Sequence, residues 1–316
     1  MTDESVVVKV ETVAKIDAAV DEISKVVLGK KRQIRLALCC LFAGGHLLLE
    51  DKPGMGKTTL SQALAKVFGL NYSRIQFTSD LLPADILGVS IFEQGSASFS
   101  FHPGPIFNNL VLADEINRTT PKTQSALLEA MEEGQVSIDG ETRQLPLPFF
   151  VIATQNPASF SGTYPLPESQ LDRFLMRLQI GYPDPAAERE LLINNHQREK
   201  LQSISQCLNV DDLESIQASI HKVNASDTLL DYMQNLIAYT RQDDKFSFGL
   251  SPRGAMALML SAKTWALMNG RQHVVPEDVQ MVLPAVVDHR LRSVADSSGR
   301  HNEAYSQSLL SDVDVF

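Results

Sequence analysis

Residues 47–60 constrain this chain more tightly than any other stretch. Leu47, Leu48 and Leu49 form an apolar run short enough for a buried strand, and Glu50-Asp51-Lys52 leads into the turn Pro53-Gly54-Met55-Gly56. Lys57, Thr58 and Thr59 then open the helical pattern Leu60, Ala63, Leu64, Val67, Phe68. Strand, glycine-rich turn and helix N-terminus in that order make a phosphate-binding loop. The first turn of a helix leaves backbone N–H groups unpaired, so residues 53–59 can face phosphate oxygens. Lys57 can reach the terminal phosphates and the Thr58 hydroxyl can ligate magnesium. The chain is therefore expected to bind a nucleoside triphosphate. One position is unusual, because Asp51 stands where the motif has its first glycine. A carboxylate about 4 Å from a phosphate is repelled by roughly 4 kcal/mol at an effective dielectric near 20, so the Asp51 side chain is expected to point away from the phosphates.

Further strands should bring more polar groups to the same crevice. Asn109-Leu110-Val111-Leu112-Ala113 is an apolar strand ending in Asp114 and Glu115. In a parallel sheet with the ligand at the carboxyl ends of its strands, this pair faces the phosphate loop. Asp114 can then hold magnesium through water, and Glu115 can accept a proton from the attacking water or orient it. Residues 148–154 form another buried strand, ending in Gln155-Asn156-Pro157. Asn156 there can bond the water or the terminal phosphate, or simply form the turn before proline. Arg173, just before the last core strand at residues 175–180, is a candidate arginine finger or a salt-bridge partner of Asp172 or Glu168. Arg177, inside that strand, is a weaker candidate.

The remainder frames this core. Val10, Val13, Ile16, Val20, Ile23 and Val27 recur at helical spacing, and a second helix through Ile34, Leu38 and Leu41 stops at Gly44-Gly45. Both precede the first strand and must lie against the sheet or over the nucleotide. Residues 72–77 read as the second strand. Residues 89–92 and 98–101 alternate around Gln94-Gly95-Ser96 as an inserted hairpin, and residues 135–145 form a second hairpin turning at Asp139-Gly140. Beyond a hinge at Tyr182-Pro183 the strands stop. Helix starts at Asp184-Pro185, Ser226, Ser251-Pro252 and Pro276-Glu277-Asp278, with apolar faces such as Leu229/Met233/Leu236/Ile237 and Met256/Leu260/Trp265, describe a small all-α domain. Arg253, in the opening turn of one of these helices, can reach a phosphate or be an ordinary surface arginine. The expected boundaries are 1–182 for the α/β core, with the insert at about 85–105 and the hairpin at about 134–147, then 183–292 for the helical domain and 293–316 for a mobile tail.

Composition excludes several classes. No apolar run approaches the roughly 18 residues needed to span a bilayer, and the start Met1-Thr2-Asp3-Glu4 lacks a basic signal-peptide region, so a cytoplasmic location is expected. The three cysteines fit neither a disulfide framework nor a zinc spacing, and read as small core residues. A net charge of -10 and the acidic tip Asp139-Gly140-Glu141 argue against nucleic acid as a partner.

Taken together, the chain resembles a MoxR-type AAA+ ATPase of the helix-2-insert clade. Gly54-Met55-Gly56-Lys57-Thr58 resembles the Walker A motif, Leu112-Ala113-Asp114-Glu115 the Walker B and Asn156 the sensor 1 residue. Leu171-Asp172-Arg173-Phe174 resembles the arginine-finger segment and Gly249-Leu250-Ser251-Pro252-Arg253 the sensor 2 motif. Asp114-Glu115-Ile116-Asn117-Arg118, Leu127-Leu128-Glu129-Ala130-Met131-Glu132 and Pro165-Leu166-Pro167-Glu168 are more specific still. The resemblance implies a P-loop NTPase core with a parallel five-stranded sheet in the order 5-1-4-3-2, followed by a small all-α lid. It implies contact of Val27, Leu28 and Gly29 with adenine, and ATP and Mg2+ bound between the subunits of a homo-oligomeric ring, commonly a hexamer. Such rings are thought to remodel or mature client proteins, often with a partner carrying a von Willebrand A domain. Two alternatives are a DNA-directed motor, since relatives with the same insert move on DNA, and a low-turnover, nucleotide-gated binding scaffold.

Overall fold

The computed structural model describes residues 10–95, 97–156, 163–193, 197–243, 245–293 and 305–315. The core begins with helices α1 (Val10–Ser24) and α2 (Lys31–Phe42), then strand β1 (His46–Glu50), helix α3 (Lys57–Phe68) and strand β2 (Tyr72–Gln76). A short helix α4 (Pro83–Leu87) leads into the hairpin β3 (Gly88–Glu93) and β4 (Ser98–Pro103). Ser96, in its expected turn, lies outside the described residues. Strand β5 (Leu110–Asp114), helix α5 (Pro121–Glu133), the hairpin β6 (Gln135–Ile138) and β7 (Glu141–Gln144), strand β8 (Phe150–Gln155), helix α6 (Glu168–Leu171) and strand β9 (Phe174–Leu178) complete the core.

Five strands pair in parallel in the order β2-β5-β8-β1-β9. Counted along the chain these are the second, third, fourth, first and fifth core strands, which is the order 5-1-4-3-2 read from its other edge. Successive side chains on a strand point to opposite faces, and the two cores follow that period. Leu47, Leu49, Leu110, Leu112, Phe150 and Ile152 face one core with α1, α2 and α3. Leu48, Val111, Ala113, Val151 and Ala153 face the other, with Leu127, Leu128 and Met131 of α5. Both faces are covered, so the central strands read as continuous apolar runs rather than alternating ones. Cys39 and Cys40 are fully buried on α2, and burial pushes both thiols well up, in keeping with small core residues.

The helical lid follows: α7 (Pro185–Ile193), α8 (Gln197–Gln202), α9 (Val210–Ile220), α10 (Asp227–Gln242), strand β10 (Phe246–Phe248), α11 (Pro252–Met268), α12 (Pro276–Val287), strand β11 (Arg292–Ser293) and α13 (Tyr305–Asp312). The starts expected at Ser226 and Ser251 are N-caps whose hydroxyls accept from Leu229 N–H and Gly254 N–H. Three expectations need correction. The lid is not purely helical, since β10 and β11 pair antiparallel. Met256, assigned to a buried face, is exposed; the helix instead turns Leu258, Ala262 and Trp265 inward. Nor is 293–316 a mobile tail throughout, because α13 packs on α12 and α10.

Long-range polar contacts hold that last helix. The Asp288 carboxylate accepts from Ser306 N–H at 2.8 Å and from the Ser306 hydroxyl at 3.0 Å, and the Tyr239 hydroxyl donates to Asp312 at 2.6 Å. The helix's own Tyr305 and Leu309 are buried. Residues 294–304 and 316 of the expected tail lie outside the described residues. Among the described residues no helix is long and apolar enough to cross a membrane.

Leu309→Ala should therefore behave as a core truncation, lowering unfolding stability by about 2–5 kcal/mol in a denaturant titration. A free tail would leave the midpoint unchanged.

Candidate functional site

Parallel pairing carries the ends of β1, β5 and β8 to one edge of the sheet. There, residues 53–59, Asp114, Glu115 and Asn156 line a cleft of about 350 Å³. Gly54 and Gly56 adopt φ of +84° and +87°, and a Cβ on either would meet nothing within 4 Å. Their requirement is conformational, not steric: a left-handed backbone turns the loop so that α3 starts with its N–H groups toward the cleft. Gly56 is the N-cap of α3 and no side chain caps that end.

Lys57 is largely buried, and its Nζ donates to the carbonyls of Asp51 and Lys52 and to Asn156 Oδ1 at 3.4 Å. Burial pulls its pKa down, while Asp51, Asp114, Glu115 and Glu50 oppose the shift. The Asp51 carboxylate is held by two backbone N–H groups at the base of the loop. It accepts from Lys52 N–H at 2.8 Å and from Gly181 N–H at 2.6 Å, tying the start of the loop to the segment entering the lid.

The two carboxylates after β5 are held differently. Asp114 Oδ1 accepts from the Thr154 hydroxyl at 2.6 Å, and Oδ2 accepts from Arg74 Nε and Nη2 at 3.1 and 2.6 Å. Thr154 Oγ1 also accepts from Glu115 N–H at 2.8 Å, so one buried hydroxyl on β8 sets the position of both acidic residues. Glu115 has φ of +60°, a left-handed conformation that costs a non-glycine residue on the order of 1–3 kcal/mol. This turns its carboxylate toward Asn156 Nδ2 at 3.0 Å, Gln76 Nε2 at 3.3 Å and Arg118 Nη1 at 3.1 Å. Thr58 and Asp114 offer hard oxygen donors within one cleft, a donor type suited to magnesium carried by a triphosphate.

Other candidates lie elsewhere. Arg177 pairs with Glu50 at 2.9 Å on the neighbouring strand, and both side chains are largely buried, so unlike Arg173 it is not displayed at the surface. Arg173 and Arg253 do not line the cleft. Arg173 Nη2 and Arg253 Nη1 each lie 3.0 Å from a different oxygen of Glu132, and not from Asp172 or Glu168. Residues 27–29 also lie outside the cleft lining: a Cβ on Gly29 would meet Asp184 and Ala187 at the start of α7. Pro157, the expected turn residue after Asn156, is outside the described residues. Arg74, Gln76 and Thr154 were missing from the sequence reading. The signal available was their place near the carboxyl ends of strands flanking Asp114.

Comparisons with known proteins give the family. Residues 46–176 match the ATPase family associated with various cellular activities (AAA), and residues 238–309 match the AAA lid domain. The Mycobacterium tuberculosis protein named Chaperone MoxR1 is 40% identical over 87% of this chain and 75% of its own length. The chain belongs to the MoxR family of AAA+ ATPases. Within reach of this MoxR-family chain is also the Bacillus subtilis protein YeaC, 46% identical over 94% of the chain and 93% of its own length. The crystal structure of a candidate ATPase from Cytophaga hutchinsonii superposes with a TM-score of 0.86 at 37% identity, covering 96% of this chain and 95% of that one.

Thr154→Val keeps the side-chain shape but leaves the Glu115 N–H and the Asp114 carboxylate without their shared hydroxyl. Thermal or denaturant unfolding should show a loss of about 1–3 kcal/mol. A loss below a few tenths of that would mean the hydroxyl does not hold the pair.

Proposed function

We propose that this MoxR-family protein binds ATP with Mg2+ and hydrolyses it at the boundaries of a homo-oligomeric, six-subunit ring, using the cycle to remodel client proteins in the cytoplasm. The observation that carries this reading is a division of labour. Phosphate-binding and water-positioning groups share one cleft, while Arg173 and Arg253 stand together away from it. The arginines at the cleft, Arg74 and Arg118, are paired with Asp114 and Glu115, whereas Arg173 and Arg253 are displayed together elsewhere, where a neighbouring copy's cleft can receive them.

On this reading the α3 N-terminus and Lys57 bind the phosphates and offset their charge. Thr58 and Asp114 would hold Mg2+, which withdraws charge from the phosphate oxygens when bound. Glu115, oriented by Asn156 and Gln76, aligns the attacking water and takes up its proton. Residues 27–29 sit beside the hinge, where they can pack against the base as the lid closes. Arg173 and Arg253 of the adjacent subunit stabilise the charge that develops on the transferred phosphoryl group. The core spans 1–182 and the lid begins at 183. A von Willebrand A domain protein remains the proposed class of accessory partner.

The acidic hairpin tip counts against a DNA motor, and Arg143 of that hairpin is occupied by Glu141 and by the Phe101 ring, 4.0 Å from its centroid.

Arg173→Ala should lower kcat by about 10³-fold or more with ATP affinity unchanged, while Glu115→Gln should bind ATP without turning it over and retain client protein through purification. Wild-type turnover by Arg173→Ala would remove the trans-acting role. DNA-stimulated hydrolysis that weakens with salt would favour the motor instead.

A further inference from the structure

We propose that Glu132 is a positioning residue that holds Arg173 and Arg253 as a two-arginine clamp for the terminal phosphate of a nucleotide bound by the neighbouring subunit. The inference rests on the reading above, in which both arginines act across a subunit boundary.

Three separate elements meet at this carboxylate. Glu132 lies in the last turn of α5, Arg173 immediately precedes β9, and Arg253 lies in the first turn of α11. Glu132 Oε1 accepts from Arg253 Nη1 at 3.0 Å, and Oε2 is ion-paired with Arg173 Nη2 at 3.0 Å. The arginine stems are brought together beneath it. Asp172, next to Arg173, accepts from the hydroxyl of Ser251, the N-cap of Arg253's helix, at 3.2 Å and from the buried Arg290 Nε at 2.6 Å. Those bonds fix where the two side chains leave the backbone, and Glu132 fixes where their charged ends go.

Two guanidinium groups so close repel each other unless an anion stands between them, and each would otherwise sample many rotamers. A guanidinium carries five N–H donors, more than one carboxylate oxygen can take. The side chains of Arg173, Arg253 and Glu132 are 28%, 46% and 36% exposed, so the cluster opens to solvent where a partner's phosphate can approach. An ordered pair meets the developing charge with its rotamer entropy already spent, and so accelerates the step rather than tightening ground-state binding. Exposed ion pairs are weak and screened by salt. Such a pair orders the arginines without withholding them from a triphosphate.

The test compares full-length Glu132→Gln with wild type by steady-state ATPase and by binding of a fluorescent ATP analogue. The expected result is a fall in kcat of roughly tenfold, worth about 1.4 kcal/mol, with KM, analogue affinity and thermal midpoint unchanged. The gap should narrow as salt rises, because salt dissolves the same pairing in wild type. Glu132→Ala, the second variant should the first fold poorly, is expected to show the same loss. Glu133→Gln makes the same charge change one residue on and is expected to match wild type. Wild-type or faster turnover by Glu132→Gln would overturn the proposal, as would an equal loss in Glu133→Gln. If Arg173→Ala and Arg253→Ala also turn over normally, the reading beneath it falls too. If both are slow while Glu132→Gln is normal, only the role of Glu132 is wrong.

Discussion

Parallel strand pairing is the constraint on which the rest of this molecule depends. Because β1, β5 and β8 run the same way and lie side by side, the glycine-rich turn after β1, the carboxylates after β5 and Asn156 after β8 must emerge at one edge. The glycines at positive φ then turn α3 so that its unpaired N–H groups face the same space. No single one of these elements makes a phosphate site. Their convergence does, and it follows from the sheet order.

Crowding Lys57 with Asp51, Asp114, Glu115 and Glu50 creates an electrostatic problem that the fold resolves with specific partners. Asp51 turns to Gly181 N–H, Asp114 is taken by Arg74 and Thr154, and Glu50 is paired with Arg177. Glu115 is set by a strained backbone and by Asn156. Each carboxylate therefore has a defined direction. The Asp51 link also joins the loop mechanically to the entrance of the lid, so the residue that departs from the usual motif has a structural occupation.

What could be read from the sequence was local. The phosphate loop, the apolar strands with polar carboxyl ends, both hairpins and the Ser226 and Ser251 caps each carry their signal within a few residues. The strand order came through the family resemblance, since nothing in a run such as Leu110–Asp114 names its neighbour. Partners distant in the chain were invisible: Glu132 looks like any solvated residue on the polar side of α5, and Arg74 like an exposed strand residue. Helix α13 was misjudged for the same reason. Its serine- and aspartate-rich composition suggests disorder, yet Ser306 and Asp312 are satisfied by Asp288 and Tyr239. Helix α9 was also overlooked, although Asn209 and Asp212 form a capping box at its start.

The central claim is that the catalytic site is shared between subunits. Its most direct test is the ATPase rate per subunit across a wide range of protein concentration, with assembly followed in parallel by sedimentation velocity. The account predicts that dilution to monomer abolishes turnover and that the specific rate rises in step with assembly. A constant rate per subunit through the monomeric range would contradict it.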